Sequence, residues 1–159
     1  MKKGIFCVLV CMLMIISTII PVSTTTVSEK TSQPLTMGNI LYVGGSGPNN
    51  YTKIQDAIDN ASDGDTVFVF DDSSPYMENI VVDTSITLWG EEKNTTIIDG
   101  GHQGHGVNIS ADNVTVRGFT IQNCDGNESG LEAGIVVSSK CNQIMDNILV
   151  DNLCGIMNF

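Results

Sequence analysis

The sequence predicts an all-β solenoid, a coil in which each turn of the chain lays one rung on several parallel sheets, entered through one short helix. Three observations carry this. Strand-like segments recur in a fixed order at a period of about 20–30 residues, the range of repeat architectures. Gly and Asn recur just after them. An amphipathic helical segment precedes the first full repeat.

The repeat is visible on alignment. "ITLWG" (86–90) above "VTVRG" (114–118) matches apolar, Thr, apolar, variable, Gly at an offset of 28, and "QIMDN" (143–147) continues the column loosely. A second column holds "TIIDG" (96–100), "TIQN" (120–123) and "LVDN" (149–152), and a third "GVNIS" (106–110), "GIVVS" (134–138) and "GIMNF" (155–159). Alternation within them places Ile86, Leu88, Val114, Val116, Ile121, Ile135 and Val137 in one core and Thr87, Trp89, Thr115 and Arg117 outside. Gly90, Gly118 and Asn147 form one column of corners and Gly100, Asn123 and Asn152 another. These residue types enter the left-handed backbone region at least cost, which a tight corner between strands requires.

The helix is read in "YTKIQDAIDNASDGDTVFVF" (51–70). Thr52 and Gln55 have the spacing of a capping box, and Tyr51 is placed to staple the start. Ile54, Ala57, Ile58 and Ala61 share one face, with Lys53, Asp56, Asp59 and Asn60 opposite. Gly64, flanked by Ser62, Asp63 and Asp65, ends it, and "TVFVF" resumes as strand. A solenoid leaves stacked apolar side chains and unpaired edges at its first coil, and a helix of this kind is suited to cover them.

These stretches, with "ENIVVDTSITLWGE", "TTIIDGG" and "ADNVTVRGFTIQN", resemble the right-handed parallel β-helix proteins of the pectin-lyase-like superfamily. The nearest likeness is to NosD-like repeats and to carbohydrate-binding and sugar-hydrolysis surface repeats. It covers nearly everything after residue 38. It implies a right-handed single-stranded parallel β-helix with three strands per coil and a short N-terminal capping α-helix. The matched positions build the coil and carry no activity.

Residues 1–22 read as an export signal, Lys2 and Lys3 preceding an apolar run from Gly4 to Val22. Uncleaved, the same run is long enough to anchor the chain in a membrane. Residues 23–37 read as a polar tether. Residues 38–159 remain as a single β-helix domain, the N-terminal cap plus about three coils. "LCGIMNF" presents an apolar rung with no polar cap, so further C-terminal coils or a partner domain are expected to cover it. Localisation is extracellular or at the cell surface.

Composition narrows the function. A net charge of −11, with only Lys53, Lys93, Arg117 and Lys140 basic after residue 38, argues against nucleic acid, which demands clustered positive charge. Sequons at Asn50, Asn60, Asn94, Asn108, Asn113 and Asn127 are glycosylation acceptors if the host modifies exported proteins. Cys124, Cys141 and Cys154 lack zinc-site spacing, leaving one disulfide plus a free thiol, or three buried thiols, both open.

Candidate sites lie on outward positions. Trp89, Arg117 and Asp146 are expected side by side on successive rungs, as a sugar-contact strip or as a surface ladder of cation–π contact and ion pair. His102 and His105 share a Gly-rich turn with Asp99 nearby, but a loop gives two imidazoles no fixed geometry, and no metal site is assigned. Asp125, Glu128 and Glu132 lie in an acidic loop whose order departs from calcium-binding patterns. The first expectation is therefore a non-catalytic, exported surface domain whose partner is a polysaccharide or cell-surface glycan, with no cofactor. The alternatives are the N-terminal part of a polysaccharide lyase or hydrolase, with calcium as the cofactor to expect, and, on the resemblance alone, a NosD-like copper-site maturation factor.

Overall fold

In segments such as "ITLW" and "VTVR" every second residue is apolar, and an extended chain of that pattern buries one face only. The computed structural model describes residues 38–126 and 132–159. The expectations for residues 1–37 and for Asn127 and Glu128 fall outside these. The chain winds as an all-β parallel solenoid of about four turns with very little helix. Among the described residues no helix is long and apolar enough to cross a membrane.

The first sheet has five strands, β1 (Ile40–Val43), β2 (Thr66–Val69), β5 (Thr87–Gly90), β8 (Thr115–Arg117) and β11 (Gln143–Met145), in that spatial order. The second runs β3 (Tyr76–Met77), β6 (Ile97–Asp99), β9 (Thr120–Gln122) and β12 (Ile148–Val150). The third runs β4 (Ile80–Val82), β7 (Val107–Ile109), β10 (Ala133–Val137) and β13 (Cys154–Asn158). All pairings between these strands are parallel.

Inward side chains stack rung on rung. Val67, Leu88, Val116 and Ile144 form one column, Ile98, Ile121 and Leu149 a second, and Ile80, Val107, Ile135 and Ile156 a third. All seven residues assigned to the core by alternation are buried. Each fully buried aliphatic side chain stabilises the fold by about 1.5–3 kcal/mol before conformational entropy is set against it. Burial fades in the last rung, where Ile156 is exposed.

Corners repeat every five residues. Asn113, Gly118 and Asn123 have φ of 59°, 79° and 56°, and the residues 28 further on, Cys141, Asp146 and Asp151, have 59°, 53° and 52°. The expected corner columns are thus displaced in the last turn: Asp146 and Asp151 bend the chain where Asn147 and Asn152 were expected. Gly90 and Gly100 lie outside the left-handed region. Gly90 instead sits where backbones nearly touch, since a Cβ there would meet the Gly118 carbonyl oxygen at 2.2 Å.

The helix α1 (Ile54–Asp59) packs against β1, β2 and β4, with Ile54, Ala57 and Ile58 buried. The expected capping box does not form. Lys53 holds the N-cap position without a side-chain bond, and the Glu78 carboxylate accepts the Ile54 and Gln55 N–H groups at 2.9 and 3.0 Å. Gln55 points away from the helix start. Its amide accepts the Val81 N–H at 2.8 Å and donates to the Val81 carbonyl at 3.1 Å. β4 is an edge strand, so Gln55 occupies backbone groups that a neighbouring strand would otherwise fill. Gly64 takes the left-handed conformation expected of it, at φ 89°.

The three cysteines among the described residues are free thiols, Cys124 buried, Cys141 exposed and Cys154 between. Burial pushes the Cys124 thiol up to about 11, which keeps it protonated as a small apolar residue.

Candidate functional site

The outer face of the five-stranded sheet presents two rows that run across its strands. Register places Ile40, Thr66, Thr87, Thr115 and Gln143 in one row and Tyr42, Phe68, Trp89, Arg117 and Met145 in the other. The reason is local: β1, β2 and β5 read as alternating strands whose inward residues are Val43, Val67, Val69 and Leu88, which turns Tyr42, Phe68 and Trp89 outward.

Contacts continue along the second row. The Tyr42 and Phe68 rings meet edge to face at 6.1 Å between centroids, and Phe68 meets Trp89 likewise at 5.3 Å. The Arg117 guanidinium lies over the Trp89 ring, 4.4 Å from its centroid. Trp89 and Arg117 are therefore brought together as expected, but onto each other, so that the cation covers part of the aromatic surface. Trp89 keeps 37% of its area exposed and Tyr42 keeps 42%.

Asp146 does not join them. The residue opposite Arg117 is Met145, because the repeat steps by 28 and not 29. Asp146 occupies the following corner in the left-handed conformation and pairs with Lys93 across the solenoid surface. That hydrogen bond raises the Lys93 ammonium above its ordinary pKa.

At the β1 end of the row the surface folds into a groove of about 400 Å³. Tyr42 and Phe70 stack there at 5.9 Å with an angle of 24° between their planes. The Gly45–Gly47 turn, Asn50 and Asp72 complete it. Gly44 and Gly45, at φ 75° and 68°, let the turn approach Phe70; a Cβ on Gly45 would lie 2.8 Å from the Phe70 ring. Asp72 Oδ1 accepts the Gly45 N–H at 2.9 Å, and the Asn50 amide donates to the Gly44 carbonyl at 2.6 Å. The Tyr76 hydroxyl donates to the Phe70 carbonyl at 2.7 Å, and burial pushes it up to about 12.

Sequence reasoning named Trp89 and missed Tyr42, Phe68 and Phe70. The alternation in "ILYV" and "TVFVF" was the available signal. It was hidden because the early rungs step by 26 and 21 residues, Ile40 pairing with Thr66 and Thr66 with Thr87, and not by 28.

The two histidines face different partners. His102 Nδ1 pairs with the Asp125 carboxylate, and this bond raises the imidazole above its ordinary pKa. His105 Nδ1 accepts the Ala133 N–H at 3.2 Å, far from that pair in role. Burial alone would push the Asp99 carboxyl up, but the Gln122 side-chain amide, the Gly101 N–H, the Asn123 amide and the charge of His102 together hold it below its ordinary value. Among the described residues no three His, Cys, Asp or Glu side chains converge as a cation site. Of the acidic loop, Asp125 is engaged by His102, Glu132 is buried, and Glu128 lies outside the described residues.

Comparison of the chain with protein-family models and with curated proteins returns no match.

Proposed function

We propose that the chain is an exported, non-catalytic surface domain that binds glycans along the outer face of its five-stranded sheet. In this reading the solenoid is a right-handed parallel β-helix with three strands per coil, closed at its first coil by α1, as the resemblance in the coil-building residues implies. One observation carries the functional part: the outward row of Tyr42, Phe68, Trp89 and Arg117, one residue per rung.

Parallel strands lie about 4.8 Å apart, so these four side chains line a track of about 14 Å. Aromatic faces accept the C–H face of a sugar ring, while a guanidinium donates to its hydroxyls. The adjoining row of Thr66, Thr87 and Thr115 adds hydroxyls that both donate and accept. Solvent-exposed aromatic rows are costly to leave uncovered, which supports a binding role over a purely structural one.

Trp89 is the only tryptophan of the chain, so its emission reports on the middle of the track. Titration of the full chain with a panel of oligosaccharides should shift that emission saturably, and Trp89→Ala should weaken binding measured by calorimetry. A panel that produces neither heat nor shift would remove the glycan reading.

A further inference from the structure

The groove beside β1 has a chemistry of its own. We propose that it is an end subsite of the track that takes a neutral hexose unit and rejects uronic acids, an inference that rests on the glycan reading above. Its volume, about 400 Å³, falls within the range of about 300–1,000 Å³ typical of small-ligand clefts. One wall is aromatic, the stacked pair of Tyr42 and Phe70. Opposite stand oxygen acceptors. Asp72 uses Oδ1 for the Gly45 N–H and the Ser73 hydroxyl, and its second oxygen has no protein partner among the described residues. Asn50 donates one amide N–H to the Gly44 carbonyl and keeps its own carbonyl oxygen for another donor.

This pairing of an apolar wall with acceptors selects a ligand that has an apolar face and donates hydrogen bonds from its rim. A pyranose with free hydroxyls is such a ligand. Among the described residues, the only charge lining the groove is the Asp72 carboxylate, and no cation lines it. A uronic acid would bring a second carboxylate beside that of Asp72, with no cation among the described lining residues to offset the repulsion. Arg117, the cation of the track, belongs to β8, three strands away in the sheet from β1.

The groove is also held in shape before any ligand arrives. The Gly44 N–H donates to the Tyr51 carbonyl at 2.8 Å and the Phe70 N–H to the Val43 carbonyl at 2.9 Å, while Tyr76 holds the Phe70 carbonyl. Binding then need not order the loop, which removes one of the usual costs of association.

The test is a titration of the full chain, isotopically labelled, with cello- and manno-oligosaccharides as neutral probes, oligogalacturonate as the acidic probe and tetramethylammonium as a cationic one. Amide signals of Gly45 and Gly47 report the groove, and the Trp89 indole reports the track. Neutral probes should move the Gly45 and Gly47 signals, and Tyr42→Ala and Asp72→Ala should each weaken that response at least fivefold while the spectra stay dispersed. Asp72→Asn should let oligogalacturonate enter. Movement of the Trp89 indole with Gly45 and Gly47 unmoved would overturn the subsite and leave the glycan reading standing. A stronger response in the groove to oligogalacturonate or tetramethylammonium would overturn the neutral-sugar assignment, and no response at either reporter would remove both readings.

Discussion

Asn147 grips the backbone of the preceding turn twice: its Oδ1 accepts the Phe119 N–H at 3.1 Å and its Nδ2 donates to the Val116 carbonyl at 2.9 Å. Asn142 and Asn152 accept the Val114 and Cys124 N–H groups in the same way, at 2.8 and 3.0 Å. The residues they serve, Val114, Phe119 and Cys124, are buried, so these N–H groups have little recourse to water. Losing a partner to a buried donor costs about 1–3 kcal/mol. Asn147→Ala should therefore lower unfolding stability by that amount in urea, and Asn147→Asp by less, since it keeps the acceptor. An unchanged midpoint in Asn147→Ala would show that the bond contributes nothing.

The same asparagines mark how far the sequence could be read. Alternation with a period of two identified the core because a rung buried on one face tolerates no slip: Leu88 and Val116 are inside, Trp89 and Arg117 outside. The corners were less legible. Asn147 looks like a left-handed corner residue, and so does Asp146 beside it; only the ladder bond to Phe119 decides which one bends. Choosing Asn147 moved the last rung by one and put Asp146 in the place of Met145. Glu78 was invisible for another reason, since it caps a helix 23 and 24 residues away in sequence. Its role exists only once the coil has closed.

That role gives a second prediction. Glu78→Ala leaves the Ile54 and Gln55 N–H groups of α1 without their carboxylate and should cost about 1 kcal/mol, with Glu78→Gln between parent and alanine. Ile58→Asp should be far worse, by several kcal/mol, because it sets an unpaired charge in a fully buried position. Thermal melts of the three variants rank the two effects. Equal midpoints for Ile58→Asp and the parent would show that the helix does not depend on its buried face.

pH dependence separates two carboxylate networks. The His102 pKa is raised by its bond to Asp125, so the stabilisation it brings is fully present below the ordinary histidine value of 6.5 and fades as pH rises through the raised value. Asp99 is held below its ordinary value of 3.8, so its contribution is present above that value and fades as pH falls through the lowered one. A proton NMR titration should place the His102 midpoint above 6.5, and Asp125→Asn should bring it down. A midpoint that ignores Asp125→Asn would break the pairing.

The last prediction concerns chemistry. The full chain should leave acidic polysaccharides uncleaved, with or without calcium, while still binding glycans. β-Elimination needs a positioned base and a neutralised substrate carboxylate, and each must lower the barrier by several kcal/mol to give a useful rate. Two of the four cations after residue 38 that could do this already have partners: Arg117 lies over Trp89 and Lys93 pairs with Asp146. The buried carboxylate of Asp99 is tied by the Gln122, Gly101 and Asn123 donors, which hold it ionised but leave it poorly placed to take a proton from a substrate. Incubation with polygalacturonate, followed at the ultraviolet absorbance of an unsaturated uronide, should give a flat trace in the parent and in Arg117→Ala alike. Absorbance that grows in the parent and vanishes in Arg117→Ala would make the outer face of the five-stranded sheet an active site and reverse the assignment.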